Sequence, residues 1–146
     1  MIIFTGDVSI ADGYFNVGFG IGSEIMKGKN PFSGIQKSEN DIWVGNFEGV
    51  ASSISCNEGY ASRVFRISSD ALSRLSLFDM YGFANNHAMQ HGENAYWQTV
   101  DCLSKQGYEV FGTQKQKSVL FEYKGQQISI TGVCFRLDEF SENPCY

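Results

Sequence analysis

Proline, histidine and long apolar runs are all scarce in this sequence of 146 residues. It contains two prolines and two histidines. No apolar run approaches the roughly 20 residues of a membrane-spanning helix, so no span is predicted. No run of lysines or arginines is present and the formal net charge is -5, which argues against nucleic acid or an anionic membrane as a partner. Residues 1–5 lack the length and the basic start of a signal peptide, so a cytoplasmic location is expected.

Cysteine is also scarce, and its four positions are scattered: Cys56, Cys102, Cys134 and Cys145. The absence of a CxxC pair argues against a zinc knuckle. Scattered cysteines in a cytoplasmic protein are expected to be reduced thiols, and Cys102 and Cys134 lie in apolar patterns that predict packing in the interior.

Glycine and aromatic residues are abundant, with 16 glycines, 12 phenylalanines and 7 tyrosines. The hydrophobic content of 42% and the charged content of 18% are typical of globular proteins. Length and composition together predict a single domain over residues 1–146, with a real core and many tight turns.

Hydrophobic periodicity predicts alternating strands and helices. Apolar runs predict strands at residues 2–5, 41–45, 79–84 and 108–112, and a short edge strand at 64–67. Helices are predicted at residues 31–39, after Ser69 and at 92–106, with Gly107 as the C-cap of the last. Residues 119–123 and 127–133 have the pattern of a hairpin, whereas 8–30 and 50–62 are predicted loops and 138–146 show no periodicity. This order predicts an α/β fold with a mostly parallel sheet and flanking helices.

Polar residues follow three of the predicted strands at the point where each ends. They are Asp7, then Asn46 and Glu48, then Asn85, Asn86 and His87. Ligands of open α/β sheets bind outside the carboxyl ends of the strands, so these side chains are expected to converge if the strands are neighbours. Two carboxylates, an amide oxygen and an imidazole suit a divalent metal, which could polarise a phosphoryl or carbonyl oxygen.

Each of these residues also has a structural interpretation. Asp7 could cap a turn, and Asn46 and Asn85 could occupy left-handed turn positions. Glu48 could be a solvated loop charge, and His87 could cap the following helix or bond a backbone carbonyl. His91 lies four residues from His87, which is the spacing of paired metal ligands on a helix, although Gly92 follows at once. The glycines of GFGIG (residues 18–22) lack the GxGxxG spacing of a phosphate loop and predict a simple loop.

The motifs at the strand ends resemble those of the capsule-synthesis CapA (poly-γ-glutamate biosynthesis, PGA_cap) family. TGDV at residues 5–8 is similar to the opening GD motif, and DIWVGNFE at 41–48 to the aD…NLE motif, with phenylalanine replacing leucine. FANNHA at residues 83–88 is similar to the LANNHa motif. The spacing of Gly92, Thr99, Leu103, Gly107 and Gly112 also follows the family pattern.

This resemblance implies the N-terminal half of a metallophosphatase-like αββα sandwich. It implies metal ligation by Asp7, by Glu48 in place of a bridging aspartate, and by the amide oxygen of Asn86. It implies that His87 is the catalytic residue, as a general acid or a transition-state donor near the leaving oxygen, and we assign Asn46, Asn85 and His91 to substrate binding. The expected cofactor is a divalent metal such as Mn, Fe, Zn or Mg.

The sequence departs from the family pattern in two ways that affect the expected metal site and domain. Gln90 stands where the family has an aspartate, three residues after the histidine. The family is also about twice as long and has later histidine motifs, so we expect an incomplete metal shell, a C-terminally truncated domain, and either a homo-oligomer or a second-half partner. Family members are often membrane-anchored outside the cytoplasm, whereas no anchor is predicted within these residues.

Three functions follow from these residues and from the resemblance. The first is metal-dependent hydrolysis of phosphoester or amide bonds in capsule or exopolymer biosynthesis, with an anionic polymer or a phosphoester as substrate. The second is a non-catalytic capsule-assembly or polymer-binding module on the same scaffold. The third is a degenerate fragment without activity.

Overall fold

The computed structural model of the chain describes residues 1–53 and 59–135. Its first half contains β1 (Ile2–Val8), α1 (Ile21–Met26), β2 (Ile42–Phe47), β3 (Val50–Ala51), a 3₁₀ turn (Tyr60–Arg63) and β4 (Arg66–Ile67). A 3₁₀ helix at Ser69–Arg74 leads into β5 (Met80–Gly82), α2 (Gly92–Lys105), β6 (Glu109–Phe111), β7 (Ser118–Tyr123) and β8 (Gln126–Thr131). The predicted aperiodic tail, Cys56 and Cys145 lie outside the described residues.

A four-stranded parallel sheet forms the centre of the fold, in the order β1-β2-β5-β6. The α/β prediction with a mostly parallel sheet is therefore confirmed. The short edge strand was predicted at residues 64–67, and its last two residues form β4, which pairs in parallel with β3 outside the central sheet. Residues 50–51, predicted as loop, form β3 because they pair with β4, a contact that local sequence does not encode.

The main core lies on the helix-bearing side of the sheet. Phe47 and Tyr81 on neighbouring strands contact edge to face, with ring centroids 5.3 Å apart, and both are fully buried. Phe83 stacks on Tyr96 of α2 with centroids 5.0 Å apart. These large rings contribute much of the buried apolar area that holds α2 against the sheet. Cys102 and Cys134 are partly buried and pack against this core, as predicted.

Helix α2 is close to its prediction of residues 92–106. Ala95, Thr99 and Leu103 are buried along one side, which is the apolar face expected from helical spacing. Gly107 follows with a φ of 90°, the left-handed conformation that glycine tolerates at a helix end. The helix predicted after Ser69 is present as a 3₁₀ helix, with Ala71 and Leu72 buried.

One helix prediction and one loop prediction before β2 are wrong. Residues 31–39 form turns rather than a helix, because the Asn30 side chain accepts a hydrogen bond from the Phe32 amide at 2.8 Å and the chain turns again at Ile35. The predicted 8–30 loop contains α1, a helix of six residues that begins after Gly20. So short a segment carries no clear periodic signal.

Strands β7 and β8 form the predicted hairpin. They pair antiparallel from Ser118↔Thr131 to Tyr123↔Gln126. Lys124 and Gly125 both have positive φ, 53° and 78°, which is the two-residue turn that matches strand twist. Val119 packs with Val44, Met80 and Phe111 in a second, smaller core on the other face of the sheet. No helix in the described ranges is long and apolar enough to cross a membrane.

Thr99 ties α2 to β3 and yields a stability prediction. Its hydroxyl accepts a hydrogen bond from the Ala51 amide at 3.0 Å and lies 2.7 Å from the Ala95 carbonyl, and the residue is fully buried. Thr99→Val keeps the shape and leaves the Ala51 amide unpaired. We expect a loss of about 1–3 kcal/mol in the free energy of unfolding, measured by urea denaturation. Thr99→Ser retains the hydroxyl and serves as the control, and an equal loss in both variants would contradict the role given to the hydrogen bond.

Candidate functional site

The parallel register brings the predicted strand-end residues to one edge of the sheet. Asp7 pairs with Asn46 across β1 and β2, and Asn46 pairs with Gly82 across β2 and β5. β1 runs through Asp7 to Val8 rather than ending at residue 5, because the register shifts between Phe4 and Asp7 and Gly6 adopts a φ of 76°. A regular strand does not contain a positive φ, but glycine tolerates one. The strand therefore continues through the irregularity at Gly6.

A relay of amide side chains links the three strand ends. The Asn46 amide nitrogen donates to an Asp7 carboxylate oxygen at 2.7 Å, and the Asn85 amide nitrogen donates to the Asn46 oxygen at 3.2 Å. Asn85 also donates to the Phe47 carbonyl at 2.8 Å and accepts from the His87 amide at 3.0 Å. Asn85 is 5% exposed, so its amide is committed to these protein partners. Asp7 itself is exposed at the edge.

His87 is held by contacts on three sides. Its Nδ1 lies 2.7 Å from the Gln90 side-chain oxygen, which can only accept, so Nδ1 carries the hydrogen in this pair. Its Nε2 lies 3.8 Å from a Glu48 carboxylate oxygen. The Phe65 ring stacks on the imidazole with centroids 4.0 Å apart and planes inclined by 22°. Nε2 is therefore the ring nitrogen available for proton transfer.

Phe65 reaches His87 because the β3–β4 pair holds it in an unusual conformation. Its φ is 52°, a left-handed value that is rare for an aromatic residue. Its amide donates to the Asp12 carbonyl at 2.8 Å and its carbonyl accepts from the Val50 amide at 2.7 Å. Gly49, with a φ of 134°, is required beside it, since a Cβ there would lie 2.9 Å from the Phe65 oxygen. The sequence predictions missed both Phe65 and the contact made by Gln90.

Glu48 lies at the end of β2 with a side chain that is 21% exposed. Burial raises the pKa of its carboxyl above the usual value, the negative charge of Asp7 raises it further, and His87 acts in the opposite direction. The Asp7 and Glu48 carboxylates therefore repel each other across this edge. A cation between them would relieve that repulsion.

Asn86 and His91 differ in their surroundings. Asn86 is half-buried, and its side chain makes no hydrogen bond to any residue within 1–53 and 59–135. His91 precedes α2, and its Nε2 lies 2.7 Å from the Val64 carbonyl. Among the described residues, no group of three or more histidines, cysteines or acidic residues is placed to hold a metal ion. The roles in metal and substrate binding remain predictions.

The raised pKa of Glu48 can be tested by titration. The folded-state pKa exceeds the unfolded value, so protonated Glu48 favours folding, and that contribution is lost as the pH rises through the folded pKa. We expect the Glu48 carboxyl carbon, followed by NMR, to titrate above pH 4.5. Asp7→Asn should lower this midpoint and His87→Ala should raise it, because each removes one of the charges that act on Glu48. Glu39, an exposed carboxylate elsewhere, is the control. A Glu48 midpoint that is unchanged in both variants would contradict the electrostatic effect of Asp7 and His87 on Glu48.

Comparison with known proteins places the chain in one family. The family model described as "Bacterial capsule synthesis protein PGA_cap" matches residues 1–144. No curated protein matches the sequence significantly. The family match spans nearly the whole chain and includes all three strand-end motifs. The chain therefore belongs to the bacterial capsule synthesis protein family PGA_cap.

Proposed function

We propose that this PGA_cap protein carries a metal-dependent hydrolase site for phosphoester or amide bonds in capsule-polymer metabolism. The observation that supports the proposal best is the grouping of Asp7, Glu48 and His87 at one edge of the parallel sheet. Such an edge is where open α/β sheets bind ligands. An anionic polymer or a phosphoester would be the substrate.

The donor set fits a hard divalent cation. One carboxylate oxygen of Asp7 accepts a hydrogen bond from Asn46, which leaves the other oxygen available. The charge of Asp7 acts on the Glu48 carboxyl, and the Asn86 side-chain amide makes no hydrogen bond with the described residues. Oxygen-rich sets of this kind suit Mg²⁺ or Mn²⁺, whereas Zn²⁺ more often takes nitrogen and sulfur. Asp7, Glu48 and Asn86 would hold the ion, which when bound would polarise a phosphoryl or carbonyl oxygen.

His87 would move the proton in this proposal. Nδ1 is occupied by Gln90, so Nε2 would deliver a proton to the leaving oxygen or take one from water. Phe65 covers one face of the imidazole and keeps water from that side. Glu48, 3.8 Å away, would stabilise the imidazolium when it forms.

Metal binding by Asp7 can be measured directly. We expect wild-type protein to bind Mn²⁺ in calorimetric titrations and Asp7→Asn to weaken binding by at least about tenfold, since a charged oxygen ligand becomes neutral. Asp101→Asn is the matched control, because Asp101 is an exposed acid on α2 that contacts Lys105 instead. Equal Mn²⁺ affinities of the wild type and Asp7→Asn would contradict the proposed metal site.

Proton transfer by His87 can be tested by turnover. We expect Mn²⁺-loaded wild type to hydrolyse p-nitrophenyl phosphoesters and His87→Ala to reduce kcat by about 10²–10⁴-fold, the usual contribution of a general acid. Glu122→Gln on the hairpin is the control. The absence of turnover in wild type, with binding of poly-γ-glutamate unchanged in His87→Ala, would contradict hydrolysis and favour the non-catalytic assembly role.

A further inference from the structure

A cavity of about 550 Å³ opens between the loop after β1 and the residues around β4. It shares no lining residue with the Asp7, Glu48 and His87 site. Its volume lies within the roughly 300–1,000 Å³ of small-molecule sites. Neither the family match nor the strand-end motifs assign it a role.

One wall of this cavity is organised by a buried carboxylate. Asp12 is 6% exposed and accepts hydrogen bonds from the Gly18 amide at 2.8 Å, the Ser23 amide at 2.9 Å and the Ser23 hydroxyl at 2.5 Å. Burial acts to raise the pKa of Asp12, but the hydrogen bonds from Ser23 and the loop amides lower it below the ordinary value. Asp12 is therefore ionised and its oxygens are occupied by protein donors. It holds the wall in place and has little capacity left for a cation.

Three cationic side chains also line the cavity. Arg66 is fixed by hydrogen bonds from Nε to the Ser52 hydroxyl at 2.8 Å and from its terminal nitrogens to the carbonyls of Ser62 and Ser53. Lys27 forms an exposed ion pair with Glu24. Arg63 is exposed and forms no ion pair or hydrogen bond through its side chain with the described part of the chain.

The lining thus combines three cations and one carboxylate in a protein whose formal net charge is -5. Ser68 adds a half-buried hydroxyl next to Arg66 and Ile67. A guanidinium, an ammonium and a hydroxyl are the donors that recognise carboxylate and phosphate oxygens. Val17, Met26 and Ile67 add apolar surface to the lining.

We propose that this cavity binds an oxyanion, a carboxylate or a phosphate, with Arg63 as its principal ligand and Lys27 as a second. The site is separate from the proposed hydrolase centre and does not depend on its activity. Because the Arg63 side chain makes no ion pair or hydrogen bond with the described residues, its guanidinium is available to a ligand.

The test titrates the full chain with inorganic phosphate and, separately, with glutarate, and follows backbone amides by NMR. We expect saturable shifts at Gly18 and Ser68, and Arg63→Gln should raise Kd by at least about tenfold. Lys124→Gln is the control, since Lys124 is an exposed cation in the β7–β8 turn and gives the same change in net charge. The anion with the lower Kd identifies the chemical group.

Two outcomes would overturn the proposal. The first is an equal rise in Kd for Arg63→Gln and Lys124→Gln, which would indicate a non-specific response to net charge. The second is the absence, with both anions, of any shift at the residues of the cavity lining. Arg63→Lys retains the charge, and partial recovery of affinity in that variant would support direct contact with the anion.

Discussion

The candidate site depends on the hydrogen bonds made by the buried side-chain amide of Asn85. It joins the end of β2, through Asn46 and the Phe47 carbonyl, to the turn that carries His87. A side chain with two donors and an accepting oxygen can do this at a single position, whereas a carboxylate has no hydrogen to donate. The position of the imidazole relative to the carboxylates follows from that connection, because β1–β2 pairing places Asp7 and Glu48 and Asn85 joins the His87 turn to β2.

Parallel strands, α2 and the hairpin were predictable because their signals are local. Apolar runs, helical spacing with Gly107, and the Lys124 and Gly125 turn each lie within a short window. The strand-end positions of Asp7, Asn46 and Asn85 were predictable for the same reason. The contacts of Phe65 and Gln90 were not, since the first depends on the Asp12 and Val50 backbones and the second on how the 85–90 turn closes. The contacts of Phe65 and Gln90 with His87 therefore correspond to no residue spacing in the sequence.

Gln90 makes the environment of the histidine unlike that expected from the family pattern. A neutral amide orients the imidazole as an aspartate would, but it supplies no negative charge. Within the described residues, the carboxylate that lies within ion-pair distance of His87 is that of Glu48, on the opposite nitrogen. Orientation and charge stabilisation are therefore divided between two residues on different elements.

Asp12 connects the two sites through different atoms. Its carboxylate orders the cavity wall, while its main-chain oxygen accepts the Phe65 amide at 2.8 Å, and Phe65 stacks on His87. A shift of the wall would thus pull on the peptide that holds the ring over the imidazole. Through this one residue, a ligand bound in the cavity and the orientation of the His87 ring would affect each other.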